Sequence, residues 1–438
     1  MSYAAALHRI RDIAREQRRR KSPTDGQERV PITEGVGRIA ACDHVSPLST
    51  PEFDSSAMDG FAITSARTRY ASPETPASFR VRGIIAAGEE PPVIPDGVVD
   101  DPSPAVEIMT GAKFPVHETP GEPFDACVKY EDTRYCPEQK GIILVSRPVS
   151  RNANRRLAGE DIARGDVVLE AGQTIEATHV MPLASVAIDS VLVVKRPSVG
   201  VLSTGKELVS DRATVRDVNG PFLTIACQEA GASASFLGTL TDDLDTLMEE
   251  IGKITRQSVY DVLVSSGAVS AGKYDFVRSA LEAIGAEVVF HGLAIRPGHP
   301  VILALLPSGN GKTAFFGLPG NPGAAAACFR FLVVPYLREL QGQPQEIPVP
   351  AKLSVPGSEV NTCNKGRNGH ASSIDRFRHG VLKFSSTSGP TVILSKQQSP
   401  AKLQPYITSN CWAHIERDDI SEGDMVDCYP MPPRGWPG

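Results

Sequence analysis

Apolar residues in the segment from Tyr3 to Arg20 fall at Leu7, Ile10 and Ile13, among mostly polar neighbours. Steps of three predict a helix with one buried stripe, ended by Ser22-Pro23-Thr24-Asp25-Gly26. Between Pro47 and Pro148 the texture changes to short Val/Ile runs cut by glycine and proline, such as Phe79–Ile85 and Gly141–Val145. Those runs predict a β-rich module, with a loop over Ala87–Pro104. From Ser198 onward, short apolar runs alternate with helical spacing. Strands are expected at Val199–Ser203, Ala234–Leu237, Asp261–Ser265, Ala286–Phe290 and Ala314–Phe316. Helices are expected at Asn219–Gly231 (apolar at Phe222, Ile225 and Ala226), Leu244–Ile254, Phe276–Ile284 and an Ala-rich segment after Pro322. Alternation of this kind predicts a doubly wound α/β sheet, parallel and covered on both faces. Gly342–Pro350 reads as a linker. Runs at Gly380–Phe384 and Thr391–Leu394 predict a final small β module. The expected organisation is a helical/linker domain (1–46 plus 151–197), a β-rich domain (47–150), an α/β domain (198–342) and a C-terminal β domain (343–438).

Composition narrows the class. The chain has 438 residues with 41% hydrophobic and 22% charged positions, ordinary for a multidomain globular protein and unlike a disordered one. Its formal charge is 45 − 51 = −6, which gives no global reason to bind nucleic acid. No apolar run approaches the roughly 20 residues that span a bilayer, so no membrane partner is expected. The first residues turn basic only at Arg18–Lys21, the wrong order for a secretory signal. Eight scattered cysteines include no Cys-x-x-Cys pair, which argues against zinc and predicts reduced thiols in the cytoplasm.

Candidate chemistry collects at three glycine-rich turns at expected strand ends: Ser203-Thr204-Gly205-Lys206-Glu207, Ser265 through Asp275, and Gly317-Leu318-Pro319-Gly320-Asn321-Pro322. Glycine lets backbone N–H groups approach an anion, and a following helix N-terminus favours negative charge. Open α/β sheets bind ligands at the carboxyl ends of their strands. Three such turns point to a phosphorylated ligand, although none matches a Walker or dinucleotide fingerprint. Glu207, Asp242 and Asp275 are hard oxygen donors suited to Mg2+. Asp242-Asp243 also fits a helix cap before Leu244. The turns Asp54–Gly60 and Met109–Ala112 sit in the β module, where composition gives them no purpose.

Taken together, these segments resemble the molybdopterin molybdenumtransferase family, the type that includes the E domain of gephyrin. The carrying residues are Pro51–Ala62, Met109–Ala112, Gly159–Ile162, Ser203–Leu208, Asp217–Asn219, Gly267–Asp275, Arg296–Pro300 and Leu318–Pro322, spread over nearly the whole chain. The resemblance implies an elongated homodimer whose pocket takes adenylylated molybdopterin and molybdate as substrates with Mg2+. Molybdenum is inserted at the dithiolene and AMP is released. A separate molybdopterin adenylyltransferase would supply the substrate in trans. The catalytic set carried over is Asp59, Thr110, Asp161, Glu207, Asp242 and Asp275, with Asp59, Thr110 and Asp161 closing the site across the dimer. Substrate contacts carried over are Ser203, Thr204, Gly205, Asn219, Ser266, Gly267, Ser270, Gly272, Arg296, His299, Pro319, Gly320, Asn321 and Pro322.

The sequence departs from the family pattern at several of these positions. Lys206 stands where the family has Asp, and Lys273 where Glu is usual, a local change of about +4 charges. Ala268 replaces a glycine and His299 a lysine. Ala324 takes a usual serine position, His379 falls near a usual arginine, and Pro400 lies where serine is common. Molybdate needs several donors around a tetrahedral oxyanion, so these changes bear most on molybdate. The expected activity is molybdenum insertion. A paralogue acting on another adenylylated or phosphorylated small molecule and a non-catalytic dimeric scaffold are the alternatives.

Overall fold

A computed structural model describes the chain except at residues 22, 96–100, 119–121, 210–214, 242, 258, 268–277, 279–280, 310, 355–373, 388, 417–419 and 432–438. Helix α1 (Tyr3–Arg20) forms where the three-residue steps predict it. Ser2 Oγ accepts from the Ala5 N–H at its start, and Arg18, Arg19 and Arg20 complement the dipole at its end. Its buried face is Ala6, Ile10 and Ala14.

The β-rich module is a six-stranded sheet made of β1 (Gly60–Ile63), β2 (Ala77–Ile85), β3 (Ser103–Ile108), β4 (Ala126–Lys129), β5 (Thr133–Tyr135) and β6 (Ile142–Val145), in the order β5-β6-β2-β3-β1-β4. Alternate residues of β1 enter opposite cores: Phe61 and Ile63 pack with Phe79 and Ile143, whereas Ala62 packs with Ile85, Val106 and Phe124. Burial on both faces explains the unbroken apolar runs. The expected loop over 87–104 is partly ordered, because Val93–Ile94 pairs with Val116–His117 and β3 begins at Ser103. On either side of this module, Gln27–Pro31 pairs with Ser190–Val194 and His44–Val45 with Val167–Leu169, both antiparallel.

Next come β7 (Ser198–Thr204), α2 (Asn219–Glu229), β8 (Ser233–Leu240), α3 (Leu244–Gln257), β9 (Val262–Ser266), β10 (Glu287–His291), β11 (Ile295–Arg296), β12 (Ile302–Ser308), β13 (Gly311–Leu318), α4 (Pro322–Cys328) and α5 (Val334–Leu340). The central sheet has the order β8-β7-β9-β13-β12-β10. Its first four strands are parallel and the last two antiparallel. The all-parallel expectation fails here because Ser308 pairs directly with Gly311. So short a connection permits only an antiparallel neighbour. Val201, Val264 and Phe316 face a core shared with α1, α2 and α5; Leu263, Phe315 and Ile302 face Leu247 and Ile251 of α3. On α2 the buried residues are Leu223, Ala226 and Cys227, while Phe222 and Ile225, expected inside, are exposed. Of the helix expected over Phe276–Ile284, 276–277 and 279–280 lie outside the described residues.

The C-terminal sheet comprises β14 (Val349–Leu353), β15 (Asp375–Lys383), β16 (Thr391–Leu394), β17 (Cys411–Ile415) and β18 (Met425–Pro430), with a short helix α6 (Pro405–Thr408) before β17. Its order is β11-β15-β16-β14-β18-β17, and a further β15–β17 pairing curls it closed. β11 joins it in parallel, so this sheet takes a strand from the preceding segment. The multidomain α/β and β architecture is the one the pattern predicts. Among the described residues, no helix is long and apolar enough to cross a membrane, and the cysteines are free.

Candidate active site

The parallel strands β7, β9 and β13 end side by side at Thr204, Ser266 and Leu318. Their turns interlock. Thr204 Oγ1 donates to Ser266 O at 3.0 Å, and the Gly267 N–H donates to Leu318 O at 3.0 Å. Gly267 has φ +98°, and an added Cβ would stand 2.3 Å from Thr204 O. Gly320 lies against it, its own added Cβ 3.4 Å from Gly267 Cα. Asn219, first residue of α2, donates from Nδ2 to Gly320 O at 2.9 Å, tying the first turn's helix to the third turn. Pro319 precedes this contact, and Asn321 and Pro322 open α4, with Asn321 O accepting from the Ala324 and Ala325 N–H groups.

Buried polar atoms line this edge. Ser203 and Ser265 are fully buried and their Oγ atoms have no hydrogen-bond partner. Asp217 Oδ1 accepts from the Asn219 and Gly220 N–H groups at 3.0 Å, capping α2, while its Oδ2 is buried without a partner. A Cβ on Gly220 would stand 2.5 Å from Asp217 Oδ2 and 2.8 Å from Ser203 Oγ, so these two oxygens converge. Glu207 folds back over Gly205, whose added Cβ would lie 2.7 Å from Glu207 Oε1. Unpaired buried oxygens are costly in isolation, and the convergence of Ser203 Oγ with Asp217 Oδ2 at the strand end suits a polar ligand, whereas Ser265 faces the opposite side of the sheet. Asp217 and Ser265 lie in segments the sequence singled out but are not among the catalytic or substrate-contact residues expected from it. An Asp two residues before a helix is read first as a cap, and Ser265 as ordinary strand interior. Ser270, Gly272, Asp242 and Asp275 lie outside the described residues. Asp243 caps α3, accepting from the Thr246 N–H at 3.0 Å and from its hydroxyl at 2.8 Å.

Arg296 and His299 flank the same edge through the 296–300 loop, since Ile302 at the start of β12 pairs with Gly317 near the end of β13. Arg296 is exposed. His299 Nδ1 lies 2.6 Å from Leu293 O, which favours a proton on that nitrogen.

In the β-rich module, a second group of turns comes together. The Asp59 carboxylate accepts from the Thr110 N–H at 2.7 Å and from Thr110 Oγ1 at 2.8 Å. First the backbone bond and then the hydroxyl bond hold the Asp59 carboxyl below its usual range. Gly111 N–H donates to Ser56 O, and Gly159 N–H to Pro51 O. Asp54 accepts from the Ala158 N–H at 2.7 Å and pairs with Arg155. Asp161 follows on this third turn, exposed, with Arg156 3.8 Å away. Asp59 and Thr110 are thus joined directly, and Asp161 lies on the turn tied to Thr50 and Pro51.

Two other features lie apart from this edge. A cavity of about 710 Å³ opens at the amino end of the central sheet, where Lys21 pairs with Asp261 at 2.7 Å and Lys312 with Glu287 at 2.6 Å. A potential metal-coordinating cluster, Asp375, His414 and Glu416, sits in the C-terminal sheet.

Comparison with known proteins fits this arrangement. Residues 1–187 match the family model described as MoeA N-terminal region (domain I and II), and residues 200–339 match the probable molybdopterin binding domain. The chain is 33% identical to the molybdopterin molybdenumtransferase of Synechococcus elongatus over 410 residues, covering 91% of this chain and 93% of that protein. The chain belongs to the molybdopterin molybdenumtransferase family. Membership makes it an enzyme of the transferase class. A second relative of the same name, from Haemophilus influenzae, is 32% identical over 96% of this chain and 98% of its own length. The molybdopterin biosynthesis MoeA protein from Pyrococcus horikosii superposes with a TM-score of 0.77 at 29% identity, covering 98% of this chain and 99% of that one. Within this family frame, the first matched region holds Asp59, Thr110 and Asp161, and the second holds the three turns of the strand-end pocket.

Proposed function

We propose that this family member inserts molybdenum from molybdate into adenylylated molybdopterin, releasing AMP and forming molybdenum cofactor. The observation that carries the reading is the convergence of the buried, unpartnered Ser203 Oγ and Asp217 Oδ2 at the carboxyl edge, beside the interlocked glycine turns. The Ser203, Thr204 and Ser266 segment and the third turn hold the phosphorylated pterin, since the Gly205 and Gly267 N–H groups are taken by Leu240 O and Leu318 O. Gly205, Gly267, Pro319, Gly320, Asn321 and Pro322 shape the cradle, and Arg296 and His299 border it.

The donors at this edge suit a hard dication. Glu207 and Asp217 are carboxylates, Asp217 Oδ2 is unsatisfied, and hydroxyl oxygen is adjacent. Mg2+ held by Glu207, with Asp217, Asp242 and Asp275 as further ligands, would neutralise pyrophosphate charge when bound. We assign Asp59, Thr110 and Asp161 to the partner subunit's pocket in a homodimer. The Asp59 carboxyl, held low by Thr110, stays ionised and would orient rather than donate a proton. The substrate is supplied by a separate molybdopterin adenylyltransferase, and both proteins act in the cytoplasm.

A second reading, the same pocket serving a different acceptor, is favoured by His379. The imidazole is 4% exposed, lies 4.1 Å from the Trp412 ring and 4.8 Å from Tyr406, and burial pushes it down to about 4. It carries no charge at neutral pH, where a guanidinium would grip an oxyanion. Ala324 is buried without a hydroxyl, and the Pro400 carbonyl is taken by the Gly323 N–H at 2.7 Å. The test is AMP release from adenylylated molybdopterin with Mg2+ and molybdate. Release with molybdenum transfer supports insertion. Tight pterin binding without release refutes it, and AMP release indifferent to molybdate favours the second reading.

A further inference from the structure

The cluster in the C-terminal sheet has a geometry of its own. In the antiparallel β15–β17 ladder, Phe377 stands opposite His414 and Arg376 opposite Ile415. Continued by one residue, that register sets Asp375 against Glu416, just past the end of β17. Side chains two residues apart share a face of a strand, so His414 and Glu416 project on the side from which Asp375 projects. One ligand atom from each lies within 4.8 Å of the others.

Each member is oriented by different means. His414 Nε2 lies 2.8 Å from Asp375 Oδ1. Its ring stacks on Phe377 at 5.1 Å and meets the edge of the Tyr3 ring at 5.4 Å, which fixes the nitrogen facing the carboxylates. The Asp375 backbone is pinned by donation of its N–H to Ala294 O at 3.0 Å. Glu416 is exposed, at the mouth of the group. Two carboxylates opposite each other on neighbouring strands repel, and a cation shared with the imidazole turns that repulsion into coordination.

We propose that Asp375, His414 and Glu416 bind a borderline divalent transition cation, with zinc as its probe. One imidazole nitrogen and two carboxylate oxygens are a donor set such cations accept, with water completing the shell. The metal takes the place of the proton at Nε2, and the imidazole keeps its proton at Nδ1. Magnesium prefers oxygen donors and retained waters, so this site is chemically distinct from the strand-end pocket. It sits where Tyr3 of α1, the β11–β15 pairing and the C-terminal sheet meet, and the cation would fasten that seam.

The test uses untagged full-length protein, stripped with a chelator and titrated with zinc by calorimetry, with bound metal counted by elemental mass spectrometry. One saturable equivalent is expected in the presence of excess magnesium. Glu416→Gln and Asp375→Asn should each weaken it at least about tenfold, whereas Glu207→Gln leaves it unchanged. Because Glu416 is exposed, its variant carries the test even where His414→Gln does not fold. No saturable equivalent, or equal zinc affinity in the wild type and both carboxylate variants, overturns the site.

Discussion

Replacing Gly267 by alanine tests whether the three strand-end turns act as one cradle. The residue has φ +98°, a backbone that costs an L side chain about 1–2 kcal/mol. The new Cβ would lie 2.3 Å from Thr204 O, and ordinary contact begins at 3.4 Å, so the turns must part by about 1.1 Å. Thr204 has no room to retreat, being paired with Leu240 on β8. Parting the turns strains the Thr204 Oγ1 bond to Ser266 O and the Gly267 N–H bond to Leu318 O, each worth about 1 kcal/mol. The total is about 3 kcal/mol, equivalent to about a hundredfold easier local opening. Hydrogen exchange over 199–205 and 262–267 reads that opening directly, and affinity for adenylylated molybdopterin should fall with it. Gly311→Ala is the control: φ is +119°, but nothing lies within 4 Å of its added Cβ, so it pays the backbone strain alone. Equal exchange and equal pterin affinity in the two variants would refute the interlocked cradle.

Further outcomes follow from the same geometry. Thr110→Val removes the hydroxyl bond to Asp59 and should raise that carboxyl toward its ordinary range; an NMR titration with an unchanged midpoint would contradict the assignment. Because the folded Asp59 pKa is depressed, its stabilising contribution is complete above the unfolded value near 3.8 and disappears only as pH falls through the folded one, so no Asp59 inflection is expected in a rate profile between about pH 5 and 9. His379 behaves oppositely to a salt-bridged histidine. The unfolded imidazole takes a proton near 6.5 and the folded one near 4, so stability present above 6.5 drains away across that interval, by about 3 kcal/mol, and His379→Asn should flatten the acid limb of a denaturation series. Asp217→Asn keeps an acceptor for the Asn219 and Gly220 N–H groups but loses the charge. Magnesium affinity should drop at least about tenfold while circular dichroism is unchanged, and equal affinity would remove Asp217 from the cation's shell.

Legibility varied with how local the deciding interaction is. The Leu7, Ile10 and Ile13 spacing fixes α1 because a helix needs only neighbours to bury one face. The strand pattern at Val199, Asp261 and Ala314 was equally plain, since fully buried strands are continuous apolar runs. The antiparallel pair at the sheet's edge was not legible, because β12 reads the same in either direction and only the tight Ser308–Gly311 link settles it. On α2, Phe222 and Ile225 look like core residues by hydropathy, yet the sheet lies under Leu223 and Cys227. The glycine turns announced the pocket. Asp217 and Ser265 lie within segments the sequence singled out but were not expected as site residues, because their part depends on an oxygen left without a donor, which no spacing shows. The Asp375–His414–Glu416 convergence joins two strands nearly forty positions apart through their register, and no spacing rule anticipates it.

The parallel pairing of Ile295–Arg296 with Asp375–Arg376 has an evolutionary consequence. Because the last sheet borrows its terminal strand from the segment that leads into the 296–300 loop, the two units are not separable cassettes. A truncation placed after the linker would strip Ile295, now 2% exposed, of its cover and leave the Arg296 loop without its anchor. Exchange of this tail between homologues should therefore succeed only when the donor's partner for residues 295–296 travels with it.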